Sequence, residues 1–248
     1  VTDHTREVDP QVYARTAGIL YLIIILASGF AELGVRSRLI VSDDAVATAA
    51  NILGHASLFR LSLAGEILND VCDVALALVL YVLLRPVSGP LALLAAFFRL
   101  VSAALLCINK LGLFTALLLL EKSAYLEVFD ARQRAALAYL AIESHGYGMN
   151  IGLVFYAFHY AVLGWLIYIS TYLPKFLGIL VLIAAACLMT SSFAQFLAPD
   201  LFDRIFPAID VPAGLADLLL GGWLLVKGVD LPTWRARVAL EGKPSPTR

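Results

Sequence analysis

Eight residues, Glu66-Ile67-Leu68-Asn69-Asp70-Val71-Cys72-Asp73, sit inside a stretch from Leu61 to Leu84 that is otherwise apolar enough for lipid. Turning 100° per residue, a helix places Glu66, Asn69, Asp70 and Asp73 on one face. A charge at mid-bilayer costs ~2.5–3.5 kcal/mol on insertion scales, so that face needs partners. The next apolar run, Leu91 to Leu120, supplies Arg99 and Lys110. The pattern predicts two membrane helices joined along a polar seam, with the rest of the chain organised around them.

Composition agrees with a membrane setting. Of 248 residues, 61% are hydrophobic and only 15% charged, against ~25% charged in soluble domains. No single soluble core of this size hides that much apolar surface. The formal net charge of −1 leaves no basic footprint for nucleic acid. Cys72, Cys107 and Cys187 all fall in apolar runs. They read as small buried hydrophobes, because a zinc site or a disulfide framework needs closer spacing.

Six apolar runs are long enough to cross a bilayer, at about 13–31, 60–84, 91–120, 147–169, 176–197 and 213–229. The first has signal-peptide flanks, with Arg6 and Arg15 before Ile19–Leu26 and Ala27-Ser28-Gly29 after it. Further spans follow, so it is read as an uncleaved first span. Between spans, Glu32 to Ser42 reads as a polar loop. Ser42-Asp43-Asp44 offers a cap for a short surface helix, Ala45 to Leu58, with Val46, Ala49 and Leu53 on one face. Thirty helical residues in the third run reach ~45 Å, beyond the ~30 Å hydrocarbon layer, so that helix must tilt or project. Asp130 with Gln133 resembles a capping box opening a second surface helix to Ile142. Pro199 to Pro212 reads as a polar loop with three prolines, and Asp230 to Arg248 as a polar tail. No repeat or linker divides the chain. The expected fold is an all-α polytopic membrane bundle, one integral domain over residues 1–248, with short surface helices in the outer loops.

The six-span alternation puts nine basic residues on one side: Arg6, Arg15, Arg85, Lys175, Lys227, Arg235, Arg237, Lys243 and Arg248. Seven fall on the other: Arg36, Arg38, Arg60, Lys122, Arg132, Arg134 and Arg204. Trp165, Tyr168, Tyr172, Trp223 and Trp234 cluster at the first side, as an interfacial belt would. The bias predicts a membrane protein with both termini in the cytoplasm.

Spans two and three form an antiparallel hairpin turning near residues 87–88, which sets Asp73 level with Arg99 and Glu66 level with Lys110. Asp217 in span six lies ~15 Å from the cytoplasmic end, close to the depth of Asp73 and Arg99. The seam residues are therefore Asp73, Arg99, Asp217, Glu66, Asp70 and Lys110. They suit an ion, proton or anionic-substrate site. They equally suit a buried salt-bridge network that fixes helix order. His145 and His159 share a helical face ~21 Å apart, too far for one ion. Paired haems need such spacing on two helices, and the other histidines, His4 and His55, do not supply it. The plainer reading is a hydrogen-bonded core histidine at 159 and an interfacial one at 145. These two are the candidates if a cofactor binds; none is predicted, and lipid or pigment contact is left open. Ser191-Ser192, Gln195 and Asn109 read as helix-to-helix hydrogen bonders. No nucleophile elbow, His-Glu-x-x-His or phosphate loop occurs in the sequence.

Four stretches carry a resemblance. They are Arg15-Thr16-Ala17-Gly18-Ile19-Leu20-Tyr21-Leu22, Phe98-Arg99-Leu100, Tyr172-Leu173-Pro174-Lys175-Phe176-Leu177-Gly178, and Asp217-Leu218-Leu219-Leu220-Gly221-Gly222-Trp223-Leu224-Leu225-Val226-Lys227-Gly228-Val229. In this order they resemble a bacterial membrane family, domain of unknown function 4386. The resemblance implies a helical protein of the bacterial cytoplasmic (inner) membrane, of about this length, and no particular activity.

Three functions are compatible with these residues. The leading expectation is a non-catalytic accessory or scaffold subunit, with membrane lipids and other membrane-protein subunits as partners and polar tails that can dock on them. The alternative is an ion-, proton- or small-molecule-binding transporter using the Asp73–Arg99–Asp217 layer, though repeats and broken helices are not evident in the sequence. A membrane enzyme comes third, because no catalytic pattern supports it.

Overall fold

A computed structural model describes residues 9–121 and 123–241 of the chain. Parts of both polar tails therefore lie outside the described residues. Helix α1 (Pro10–Gly29) opens at Asp9, whose carboxylate accepts the Gln11 N–H at 3.0 Å, and Pro10 takes the first turn, where a missing donor costs nothing. The helix does not stop near Ala31. It widens into a π-helical segment, Phe30–Arg36, and runs on through α2 (Ser37–Leu39). The expected loop at Glu32–Ser42 is thus mostly helix, and the first span covers Pro10–Leu39.

Asp44 caps the surface helix α3 (Ala45–Gly54) by accepting the Ala47 N–H at 2.8 Å. Its inward face is Thr48, Ala49 and Ile52, while Val46 and Leu53 point outward. Helix α4 (Ala56–Leu84) is the second span. The third span is broken into α5 (Gly89–Asn109) and α6 (Leu111–Leu120), with Lys110 at the joint. Helix α7 (Ala131–Ile169) is continuous for 39 residues, so the expected surface helix and fourth span are one element. Its predicted capping box is present, with Gln133 N–H to Asp130 at 2.8 Å and Asp130 N–H to Gln133 at 2.9 Å. Helix α8 (Lys175–Leu197) is the fifth span. The expected loop after it holds a short helix, α9 (Pro199–Ile205), and a 3₁₀ turn, Ala208–Asp210, before α10 (Val211–Val226). In these segments Pro199 and Pro212 start helices rather than break them. The tail contains α11 (Leu231–Glu241).

Among the described residues, six helical spans are long and apolar enough to cross a membrane, and the chain is an all-α helical bundle. Their leucine- and phenylalanine-rich outer faces are exposed, as lipid contact requires. Helix α1 packs between α4 and α10, and α7 between α5 and α8. One end of the bundle is tied by polar contacts. Tyr172 Oη and Trp234 Nε1 both donate to Leu83 O, at 2.7 and 3.1 Å. The Gln11 amide donates to Lys227 O and accepts from Val229 N–H, at 3.0 and 3.1 Å. The intervening Gly228 takes φ +69° to let that clamp form.

Two apolar cores divide the interior. One, at the tied end, holds Ala14, Tyr21, Leu76, Leu80, Leu163 and Leu220 among others. The other holds Val35, Ile52, Phe59, Leu63, Leu113 and Ala138. On α4, α5–α6 and α7 most of the buried polar residues (Glu66, Asp70, Arg99, Ser102, Lys110, His145 and Asn150) fall between these clusters, and Asp73 and His159 enter the edge of the first. The seam is a polar belt across the bundle.

Candidate functional site

Three acids of α4, Glu66, Asp70 and Asp73, are all buried. Each meets a cation from a different place in the chain. Arg99 of α5 is 0% exposed. Its Nη2 donates to Asp73 Oδ1. Its Nη1 lies 3.0 Å from His159 Nε2, and His159 Nδ1 lies 2.8 Å from Ala95 O. A carbonyl only accepts, so Nδ1 carries the ring proton and Nε2 receives the guanidinium N–H. The guanidinium also lies 5.6 Å from the Tyr21 ring centre and 5.2 Å from that of Tyr156, within cation–π range.

Asp217 is not in the fork of Arg99. It accepts the Tyr160 hydroxyl at 2.5 Å, and Tyr160 Oη is 3.4 Å from Tyr156 Oη. Matching depth was correct for Asp73 and Arg99. The second arm of Arg99 goes to an imidazole, because α7 packs directly on α5 and brings His159 to it.

The other pairings differ from the depth reading. Lys110 Nζ binds Asp70, at 2.8 Å to Oδ2 and 3.0 Å to Oδ1, and reaches Leu106 O at 3.3 Å. Glu66 instead takes Arg36, whose Nη1 is 2.6 Å from Glu66 Oε1. The rest of the Arg36 guanidinium binds Glu32, with Nη2 and Nε at 2.6 and 2.9 Å from Oε2. Helical side chains lean toward the N-terminus. The Lys110 ammonium accordingly sits beside Leu106, one turn back and opposite Asp70. His145 packs on Asn109, whose Nδ2 donates to His145 O at 2.8 Å.

Arg36 and Lys110 both come from irregular backbone. At Ser37 the N–H bonds to Glu32 O, five residues back. At Lys110 the N–H bonds to Cys107 O, three residues back, at 3.3 Å. One break loosens the helix and the other tightens it, and each presents its cation to α4. Sequence reasoning missed Glu32 and Arg36, which fell in an expected loop; their i,i+4 spacing was the available signal. It also missed Tyr21, Tyr156 and Tyr160, which line the Arg99 layer without a charge to mark them.

Several belt atoms are buried with no hydrogen-bond partner among the described residues: Tyr21 Oη, Glu66 Oε2, Asn69 Oδ1 and Arg99 Nε. The belt is tightly filled beside His159, where a void of only about 10 Å³ opens against Ala95, Ala96 and Leu163. No group of three or more His, Cys, Asp or Glu among the described residues is placed to hold a metal ion.

Fold and belt together define a polytopic membrane bundle built around a buried ion-pair seam. A family model described as Domain of unknown function (DUF4386) matches residues 16–228. The chain belongs to that family. An "Uncharacterized protein" of Archaeoglobus fulgidus (strain ATCC 49558) is 29% identical over 167 residues, covering 67% of this chain and 83% of the relative. That relative is archaeal, so the family likeness does not by itself imply a bacterial source. No solved structure matches the chain.

Proposed function

We propose that the chain is a proton-handling membrane transport protein whose working element is the acidic face of α4. One observation carries this reading: both helix breaks, at Phe30–Arg36 and at Lys110, hand a cation to that face. Irregular backbone is costly in lipid and persists where it lines an ion or substrate path; π segments likewise recur at functional positions. Five carboxylates (Glu32, Glu66, Asp70, Asp73, Asp217) surround three cations (Arg36, Arg99, Lys110) in the belt. The formal excess of acid leaves room for protons, and a proton needs no cavity. Protonating Asp70 would release Lys110, which sits at the α5–α6 joint, so the hinge and the pair are one device. The lysine/arginine bias supports both termini on the cytoplasmic side of a cell membrane.

Proteoliposomes adsorbed on a solid-supported membrane test this. A step in pH is expected to give a transient current with the parent chain and none with Asp70→Asn. Identical responses from both, or from protein-free vesicles, would remove the proposal. A second reading, an accessory subunit, has its own support. On the outer face of α10, a Cβ at Gly214 or Gly222 would meet nothing within 4 Å, and small outward residues admit a partner helix closely.

A further inference from the structure

Away from the belt, four buried oxygens with no hydrogen-bond partner among the described residues come from one small region. They are Ser191 Oγ, Ser192 Oγ and Gln195 Oε1 near the end of α8, and Asp210 Oδ1 in the following 3₁₀ turn. Ser191 and Ser192 are both 0% exposed. The three α8 residues fall within a 100° arc of the helix, and the turn that carries Asp210 packs on α8 with its carboxylate beside Ser191.

A serine or threonine hydroxyl in a membrane helix ordinarily bonds back to a carbonyl of the preceding turn. Thr190 does so, to Ala186 O at 2.8 Å. Its two neighbours do not, and neither hydroxyl has a hydrogen-bond partner among the described residues. Leaving one such group unmade costs about 1–3 kcal/mol, so four together call for an occupant. All four donors are hard oxygens, which exclude soft metals and suit an alkali or alkaline-earth cation. A single carboxylate balances one positive charge. The site lies within two turns of the C-terminal end of α8, where the helix dipole favours a cation.

We infer that Ser191, Ser192, Gln195 and Asp210 form a sodium-ion site at the α8–α10 connection. The site stands apart from the α4 seam and does not depend on its role.

Binding of sodium-22 to the purified full-length chain, read by scintillation proximity, tests the site. Saturable binding is expected, competed by unlabelled sodium chloride and not by choline or calcium chloride. Asp210→Asn and Ser191→Ala are each expected to lower affinity by about tenfold or more. Thr190→Ala, outside the site, should bind as the parent does. Ser191→Ala removes an unpaired hydroxyl, so without sodium it should melt no lower than the parent; this variant keeps the test decisive if Asp210→Asn does not fold. Absence of saturable binding, which is the outcome if water fills the site, would overturn the inference. So would unchanged affinity in Ser191→Ala.

Discussion

Replacing Arg99 with leucine is expected to cost about 3–5 kcal/mol of stability, because removing one member of a buried ion pair strands the other. The guanidinium touches Asp73, His159, Tyr21 and Tyr156 at once. Leucine satisfies none of those polar contacts. Adding Asp73→Asn should return part of the loss, since the stranded carboxylate is then gone. Thermal melting in mild detergent would show this as a large fall for Arg99→Leu and a smaller one for the double variant. A single variant as stable as the parent would mean that Arg99 faces headgroups or water. Transport-related currents separate the two meanings of the belt: recovery of stability without recovery of current marks a site, and recovery of both marks a structural network.

Gly178→Val should be nearly as damaging, by a different route. Helices α7 and α8 meet backbone to backbone here. A Cβ at Gly178 would lie 2.6 Å from Tyr168 N and 2.7 Å from Gly164 O. These are main-chain atoms, so no side chain can swing aside. Overpacking of this kind typically costs about 1–3 kcal/mol, and more when backbone must shift. Gly146→Ala is the control, because a Cβ there meets nothing within 4 Å. Melting temperatures should drop sharply for Gly178→Val and stay level for Gly146→Ala. Equal melting of the two would contradict the close α7–α8 approach.

The number and order of spans were legible because a membrane helix leaves a continuous apolar run, and hydropathy survives any error in rotation. The Asp130–Gln133 cap was legible for a similar reason: its partners are three residues apart. The depth of a residue in a hairpin was also legible, and it correctly set Asp73 beside Arg99. Rotation and helix regularity were not. Lys110 lies level with Glu66 by count, but its side chain leans back one turn to Asp70. Arg36 seemed to lie outside the membrane because Glu32, Gly34 and Arg36 lower the hydropathy after Ala31. The helix continues there because Arg36 is neutralised from two sides, by Glu32 and by Glu66. The Glu66 half of that partnership forms only in the folded bundle, and the i,i+4 spacing of Glu32 and Arg36 was the one local sign of the other half. The prolines at 199 and 212 misled in the same direction, toward a loop: a proline in a first turn starts a helix as readily as one in an interior ends it.

The central claim is that the breaks in spans one and three deliver Arg36 and Lys110 to separate acids on α4. A pair of double-mutant cycles on thermal or chemical stability tests it directly. Lys110→Met should couple to Asp70→Asn by about 0.5–3 kcal/mol and be additive with Glu66→Gln to within about 0.5 kcal/mol. Arg36→Met should show the reverse pattern, coupling to Glu66→Gln and not to Asp70→Asn. Coupling of Lys110 to Glu66, as simple hairpin depth would have it, with Arg36 additive to both acids, would contradict the account.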